Sequence, residues 1–199
     1  SRGRWVAMLD ADDSWDSNKL EAQLKSLSSR PSAVWSHHGT RMVNDGRIEK
    51  EVPGSQPEDN ARVEDFVLFN CAIWQSTAMI DRQALIDVGG WDTRFRGTED
   101  WELWIRLVQR FGGESVVCLP DIMLNYRLLE SSLSRSKYMH AREARRVIRH
   151  TLLRGGFMFR HPIKAIKMID GELLRSRNRR WSDGDYGRAG LWAILYLLA

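Results

Sequence analysis

The chain has 199 residues, 43% hydrophobic and 28% charged, with a formal net charge of +4. That composition suits one domain with a sizeable core, or one domain plus a helical appendage, and excludes a disordered or low-complexity polymer. Two cysteines, Cys71 and Cys118, exclude a disulfide framework and point to a reducing, cytoplasmic setting, and no apolar run reaches membrane-spanning length.

Residues 5–9 (WVAML) are a short apolar run expected to form a buried strand of an α/β sheet. Asp16 stands where a helix cap is wanted. Leu20, Leu24 and Leu27 share one face of the helix that follows, before Pro31 closes it. Residues 33–43 read as a second strand and residues 44–62 as a polar loop, with a hairpin turn at Asn44-Asp45-Gly46. A strand is predicted over 76–80, then a short helix over 82–88 that Gly89-Gly90 would end. A longer helix is predicted over 99–111, stopped by Gly112-Gly113. Two short strands follow at 116–119 and 122–126, separated by Pro120-Asp121.

Beyond residue 134 the character changes. Residues 135–188 carry fifteen Lys and Arg against five Asp and Glu, so the remainder of the chain is net negative. Basic amphipathic helices are expected there, the first with Tyr138, Ala141, Ile148 and Leu152 on its apolar face. The chain opens at Ser1 without Met, close to a strand that reads as central, and closes within LWAILYLLA without a cap. A portion of a longer protein is expected.

Two stretches carry chemistry. In WVAMLDADDSWD (residues 5–16), alternate side chains at a strand end bring Asp10 and Asp12 to one side, with Asp13 beside them. Carboxylates so close repel unless a cation separates them, and oxygen ligands at the carboxyl end of a strand suit Mg²⁺ or Mn²⁺ on substrate phosphates. Aspartates that merely cap and turn are an equally good reading of these residues. A calcium loop would need Gly where Trp15 stands, and a phosphatase-type aspartyl nucleophile lacks evident lysine and acid partners. In GGWDTRFRGTEDWELWIRL (residues 89–107), Glu99 and Asp100 fall in the first turn of the predicted helix. The exposed N–H groups and dipole there favour the anion, which can accept a proton from a hydroxyl. An ordinary acidic helix start reads the same way.

LDADDSW, then STAMIDR, then GGWD and TEDWELWIRL, in this order and spacing, resemble the family 2 glycosyltransferases of the GT-A fold, over residues 1 to about 134. The resemblance implies an α/β mixed sheet flanked by helices, forming a partial catalytic domain over 1–134 with a basic helical region over 135–199. Set against that family, the stretch is expected to be a C-terminal portion without the N-terminal strand–helix unit that binds the nucleotide base. The resemblance also implies a metal-dependent, inverting transfer of a sugar from a nucleotide-diphosphate donor, a UDP-sugar first, to a hydroxyl of a glycan or lipid-linked acceptor in cell-surface glycan synthesis. Carried over residue by residue, Asp12 and Asp10 hold Mn²⁺ or Mg²⁺, with Asp10 nearer the ribose and Asp13 supporting donor binding. Asp100 is the base, and Glu99 orients it or places the acceptor. The His that many members carry after a Tyr-Arg pair is absent: Tyr126-Arg127 runs into LLESSLS.

Trp91, after Gly89-Gly90, is the candidate for stacking on an acceptor sugar. Trp101 is a second acceptor-side candidate, although its spacing from Trp104 also suits core packing. His37 and His38 are adjacent in a strand, point to opposite faces and are taken as structural, and both cysteines as small buried hydrophobes. The basic tail suits an anionic membrane surface, which would place the protein at the inner face of the membrane. No recognition motif supports nucleic acid. A non-catalytic membrane- or partner-binding module built on that tail is the alternative function.

Overall fold

Six strands form one mixed sheet in the computed structural model, which describes residues 2–55 and 73–129 together with Glu143, Arg146, Val147 and His150. The strands are β1 (Trp5–Ala7), β2 (Ser14–Trp15), β3 (Trp35–Asn44), β4 (Arg47–Val52), β5 (Met79–Asp81) and β6 (Val116–Arg127). The helices are α1 (Lys19–Ser28), α2 (Arg82–Asp87) and α3 (Glu99–Phe111). Their spatial order is β1-β5-β3-β6-β2, with β4 paired to β3. The β3–β6 pairing is parallel and the others are antiparallel.

β3 and β4 form the expected hairpin. Asp45 and Gly46 take φ of 46° and 77°, the left-handed pair that matches strand twist in a two-residue turn. Residues 47–52, taken as loop from their polarity, are instead an exposed strand, its charges suited to a sheet rim. The two short strands around Pro120-Asp121 are one strand, whose register against β3 shifts on both sides of Gly39. Backbones crowd there: a Cβ on Gly54 would lie 1.9 Å from the Leu119 carbonyl oxygen, and one on Gly39 would lie 2.7 Å from that of Val52. Residues 76–80 also differ from expectation, with a 3-10 turn at Gln75–Thr77 preceding β5.

α3 runs over the predicted residues and ends at Gly112, whose φ of 80° stops it. Its buried face includes Leu103, Trp104, Leu107 and Val108. Trp104 stacks on Trp35 of β3 with ring centroids 5.0 Å apart, and both are fully buried, an offset aromatic pair at the core's centre.

α1 presents a different face from the one expected. Lys19, Gln23 and Leu27, each four residues apart, are buried, whereas Leu20 and Leu24 are over 40% exposed. Gln23 decides this: its Nε2 donates to Ser36 Oγ and to the Thr77 carbonyl, both at 3.0 Å. Those bonds turn the polar row toward β3 and leave the leucines outward. Asp16 is not the helix cap. Asn18 holds that position, and the Asp16 carboxylate accepts from Asn125 Nδ2 at 3.2 Å and faces Arg41 at 3.5 Å. His37 and His38 are buried as expected, and Cys118 is partly buried, which pushes its thiol up to about 11.

The contacts divide the chain into two units, Ser1–Arg94 with Glu99–Arg135, and Phe95–Thr98 with Ser136–Ala199. Within the second, the Phe95 ring meets His150 edge-on at 5.2 Å, with the Arg146 guanidinium 5.7 Å from its centroid. Cys71 and most of the basic region, including Tyr138, Ala141, Ile148 and Leu152, lie outside the described residues. Among the described residues, no helix is long and apolar enough to cross a membrane.

Candidate active site

β1 delivers its carboxylates through a tight turn. The Met8 N–H still donates to Ala78 O at 3.2 Å, after which the chain leaves the sheet and Asp13 N–H closes on Asp10 O at 3.1 Å. Ser76, in the 3-10 turn that precedes β5, holds this turn. Its Oγ accepts from Asp10 N–H at 3.0 Å and donates to Asp13 Oδ2 at 2.6 Å. Trp15 fixes Ser76 in turn, its indole N–H donating to the Ser76 carbonyl at 2.7 Å. The other Asp13 oxygen accepts the Arg127 backbone N–H at 3.1 Å.

The three aspartates are therefore unlike one another. Asp13 has both oxygens engaged, and burial raises its carboxyl above the ordinary range, with Asp12 and Asp10 adding to the rise against its two hydrogen bonds. Asp10 accepts Gln75 Nε2 at 3.0 Å. Asp12 is partly exposed and shows no hydrogen-bond or ion-pair partner among the described residues. No three His, Cys, Asp or Glu side chains among the described residues form a ready metal cage. Mg²⁺ and Mn²⁺ do not require one, since they bind through one or two carboxylates plus phosphate and water. The unengaged Asp12 beside a half-engaged Asp10 fits that donor set.

The second acidic motif opens α3. Asp100 Oδ1 accepts the Trp101 backbone N–H at 2.7 Å in the first turn of α3, which favours the anion. Burial outweighs this and, with Glu99 and Asp10 adding like charge, raises the Asp100 carboxyl to about 7. Trp91, 37% exposed, donates its indole N–H to Gln75 Oε1 at 3.3 Å, and Trp101 is half-buried on α3. Ser76 thus joins Asp10 to Asp13, and Gln75 joins Asp10 to Trp91. Ser76 opens the STAMIDR stretch, whereas Gln75 carries no motif of its own. A groove of about 1040 Å³ lined by Arg4, Trp5, Leu24 and Arg30 involves none of these residues.

A family profile described as glycosyltransferase like family 2 matches residues 1–145. The chain belongs to that family. Among the relatives of this family 2 chain is TuaG of Bacillus subtilis, a glycosyltransferase ascribed to teichuronic acid biosynthesis. It is 31% identical over 146 residues, which are 72% of this chain and 54% of TuaG. Another is the Escherichia coli UDP-Glc:alpha-D-GlcNAc-diphosphoundecaprenol beta-1,3-glucosyltransferase WfgD, 29% identical over 136 residues, 68% of this chain and 50% of that protein. The chain spans about half the length of these curated relatives. The crystal structure of S. aureus TarS in complex with UDP-GlcNAc matches with a TM-score of 0.53 at 12% identity, over 89% of this chain and 59% of that one. That likeness concerns the fold, and the family 2 chain has the GT-A-like α/β architecture.

Proposed function

We propose that this chain carries the chemical centre of a metal-dependent, inverting glycosyltransferase. It moves a sugar from a nucleotide-diphosphate donor, a UDP-sugar, to a hydroxyl of a glycan or lipid-linked acceptor in cell-surface glycan synthesis at the inner face of the membrane. The observation that carries the reading is the Gln75 bridge, which ties Asp10 of the first stretch to Trp91 of the second, with Asp10 also adding to the raised Asp100 carboxyl. The family match supports it, as do the donor and diphosphoundecaprenol acceptor in the name of WfgD and the UDP-GlcNAc bound to TarS.

In this reading Asp12, with Asp10, holds Mn²⁺ or Mg²⁺, whose charge offsets that of the departing diphosphate. Asp13, locked by Ser76 and Arg127, fixes the turn that presents them. Asp100 takes the proton of the acceptor hydroxyl while that oxygen bonds the anomeric carbon and the diphosphate leaves with its bonding pair. A carboxyl raised toward neutrality is a stronger base than an ordinary one and still partly ionised. Glu99 holds Asp100 and the acceptor, and Trp91 and Trp101 offer apolar faces to the acceptor sugar.

Thermal unfolding tests the donor half. UDP should protect the chain only when Mn²⁺ is present, by about 3 kcal/mol at a hundredfold excess over Kd, and Asp12→Ala should lose the protection. Unchanged melting of the wild-type chain with both ligands present overturns the proposal.

A further inference from the structure

We propose that Gln75 couples the two halves of the site, so that engagement of the Asp10 carboxylate by a donor-side cation is transmitted to the Trp91 indole. The inference rests on the proposed donor role of Asp10 and adds a positioning residue to it.

The chemistry of the partners orients the Gln75 amide. A carboxylate only accepts and an indole N–H only donates. Nε2 must therefore face Asp10 Oδ1, at 3.0 Å, and Oε1 must face Trp91 Nε1, at 3.3 Å. The reverse orientation would set oxygen against carboxylate and N–H against N–H. Both ends of the relay are held. The Gln75–Thr77 turn is fixed by Trp15 on Ser76 O and by Gln23 on Thr77 O. The loop bearing Trp91 is held from α3, where Arg106 donates to Gly90 O at 2.7 Å and also to Val88 O. Gly89 and Gly90, at φ of 84° and 67°, end α2 with their N–H groups on Ile86 O and Leu85 O, both at 2.9 Å. The indole thus takes its orientation from Gln75.

The direction of the coupling follows from polarisation along the chain of bonds. An ionised Asp10 strengthens the bond from Gln75 Nε2, and the polarised amide is then a better acceptor at Oε1. A cation on Asp10 withdraws that charge, weakens both bonds and frees the exposed indole to turn onto an acceptor sugar. Donor and acceptor binding then promote each other.

The test reads the indole N–H signals of the nine tryptophans by two-dimensional NMR. Trp91 is assigned from Trp91→Phe, and Mg²⁺ with UDP is the probe. In the wild type the Trp91 signal should move upfield on adding Mg²⁺ with UDP. In Gln75→Met it should start upfield and stay there, while calorimetry gives a UDP affinity within about threefold of wild type. Gln75→Asn, one methylene too short to touch both partners, should behave the same way and serves if the Met variant does not fold. A Trp91 signal that keeps its wild-type position and response in these variants overturns the coupling. So does a wild type in which UDP binds and other indoles respond while Trp91 does not, an outcome that leaves the donor site intact. If UDP produces neither heat nor any indole shift, the donor site is refuted and the coupling with it.

Discussion

Asp100 shows how a single carboxyl can be tuned against stability. Burial first, then Glu99 and Asp10, raise it from 3.8 to about 7. Between those values the folded state keeps a proton that the unfolded state has released, so this group's contribution to stability falls as pH rises through that window. Asp100→Asn should therefore melt higher than wild type at pH 8, and it should lose about 10²–10⁴-fold in turnover. Because the ionised form is the base, wild-type kcat/KM should fall about tenfold per pH unit below about 7 and level off above it. A flat profile from pH 5 to 8 would take the base role from Asp100. The carboxylates were legible in the sequence because strand ends and helix starts obey local rules. Gln75 was not, and the role of Ser76 within STAMIDR was not, because their partners Asp10 and Asp13 lie more than sixty residues away.

At the scale of an element, α1 is the instructive case. Lys19 is fully buried and its ammonium nitrogen has no hydrogen-bond partner among the described residues, although it lies 3.6 Å from the Trp15 ring centroid. The ring favours the charged form, but burial prevails and lowers the lysine to about 7. Between 7 and the ordinary 10.5 the unfolded chain binds a proton that the folded chain does not, so stability rises with pH across that range. Lys19→Met should stabilise the fold at pH 7 by about 1–3 kcal/mol, the usual cost of a buried unpartnered polar group, and should flatten the rise between pH 7 and 10. Urea unfolding at several pH values measures both, and a destabilised, equally pH-dependent variant would contradict the account. α3 could be read from sequence end to end, since its apolar stripe and glycine stop are local. The buried face of α1 could not, because Ser36 and Thr77 select Gln23, and apolarity alone selects the leucines.

For the molecule as a whole, the surplus of ten positive charges in residues 135–188 bears on where the chain works. If that stretch docks on anionic phospholipid, binding to vesicles containing it should fall as salt rises from about 0.01 to 1 M, over which the Debye length shrinks from about 30 to 3 Å. Sedimentation with vesicles measures this, and salt-insensitive binding counts against the docking. The sheet order was the least legible feature of all. Composition and periodicity describe strands singly, whereas the neighbours of β3 are set by pairings across the chain.

Those pairings also govern when the site comes into being. The turn bearing Asp10 and Asp13 is fastened by Ser76 on one side and by the Arg127 backbone, 114 residues away, on the other, and the parallel β3–β6 partnership closes a shorter but still long loop, from Trp35 to Val116. Loops that long are slow to close and are rewarded only once both ends have met. Nucleotide affinity should therefore emerge at the end of refolding, after helical signal and collapse, making the ligand a reporter of completed topology.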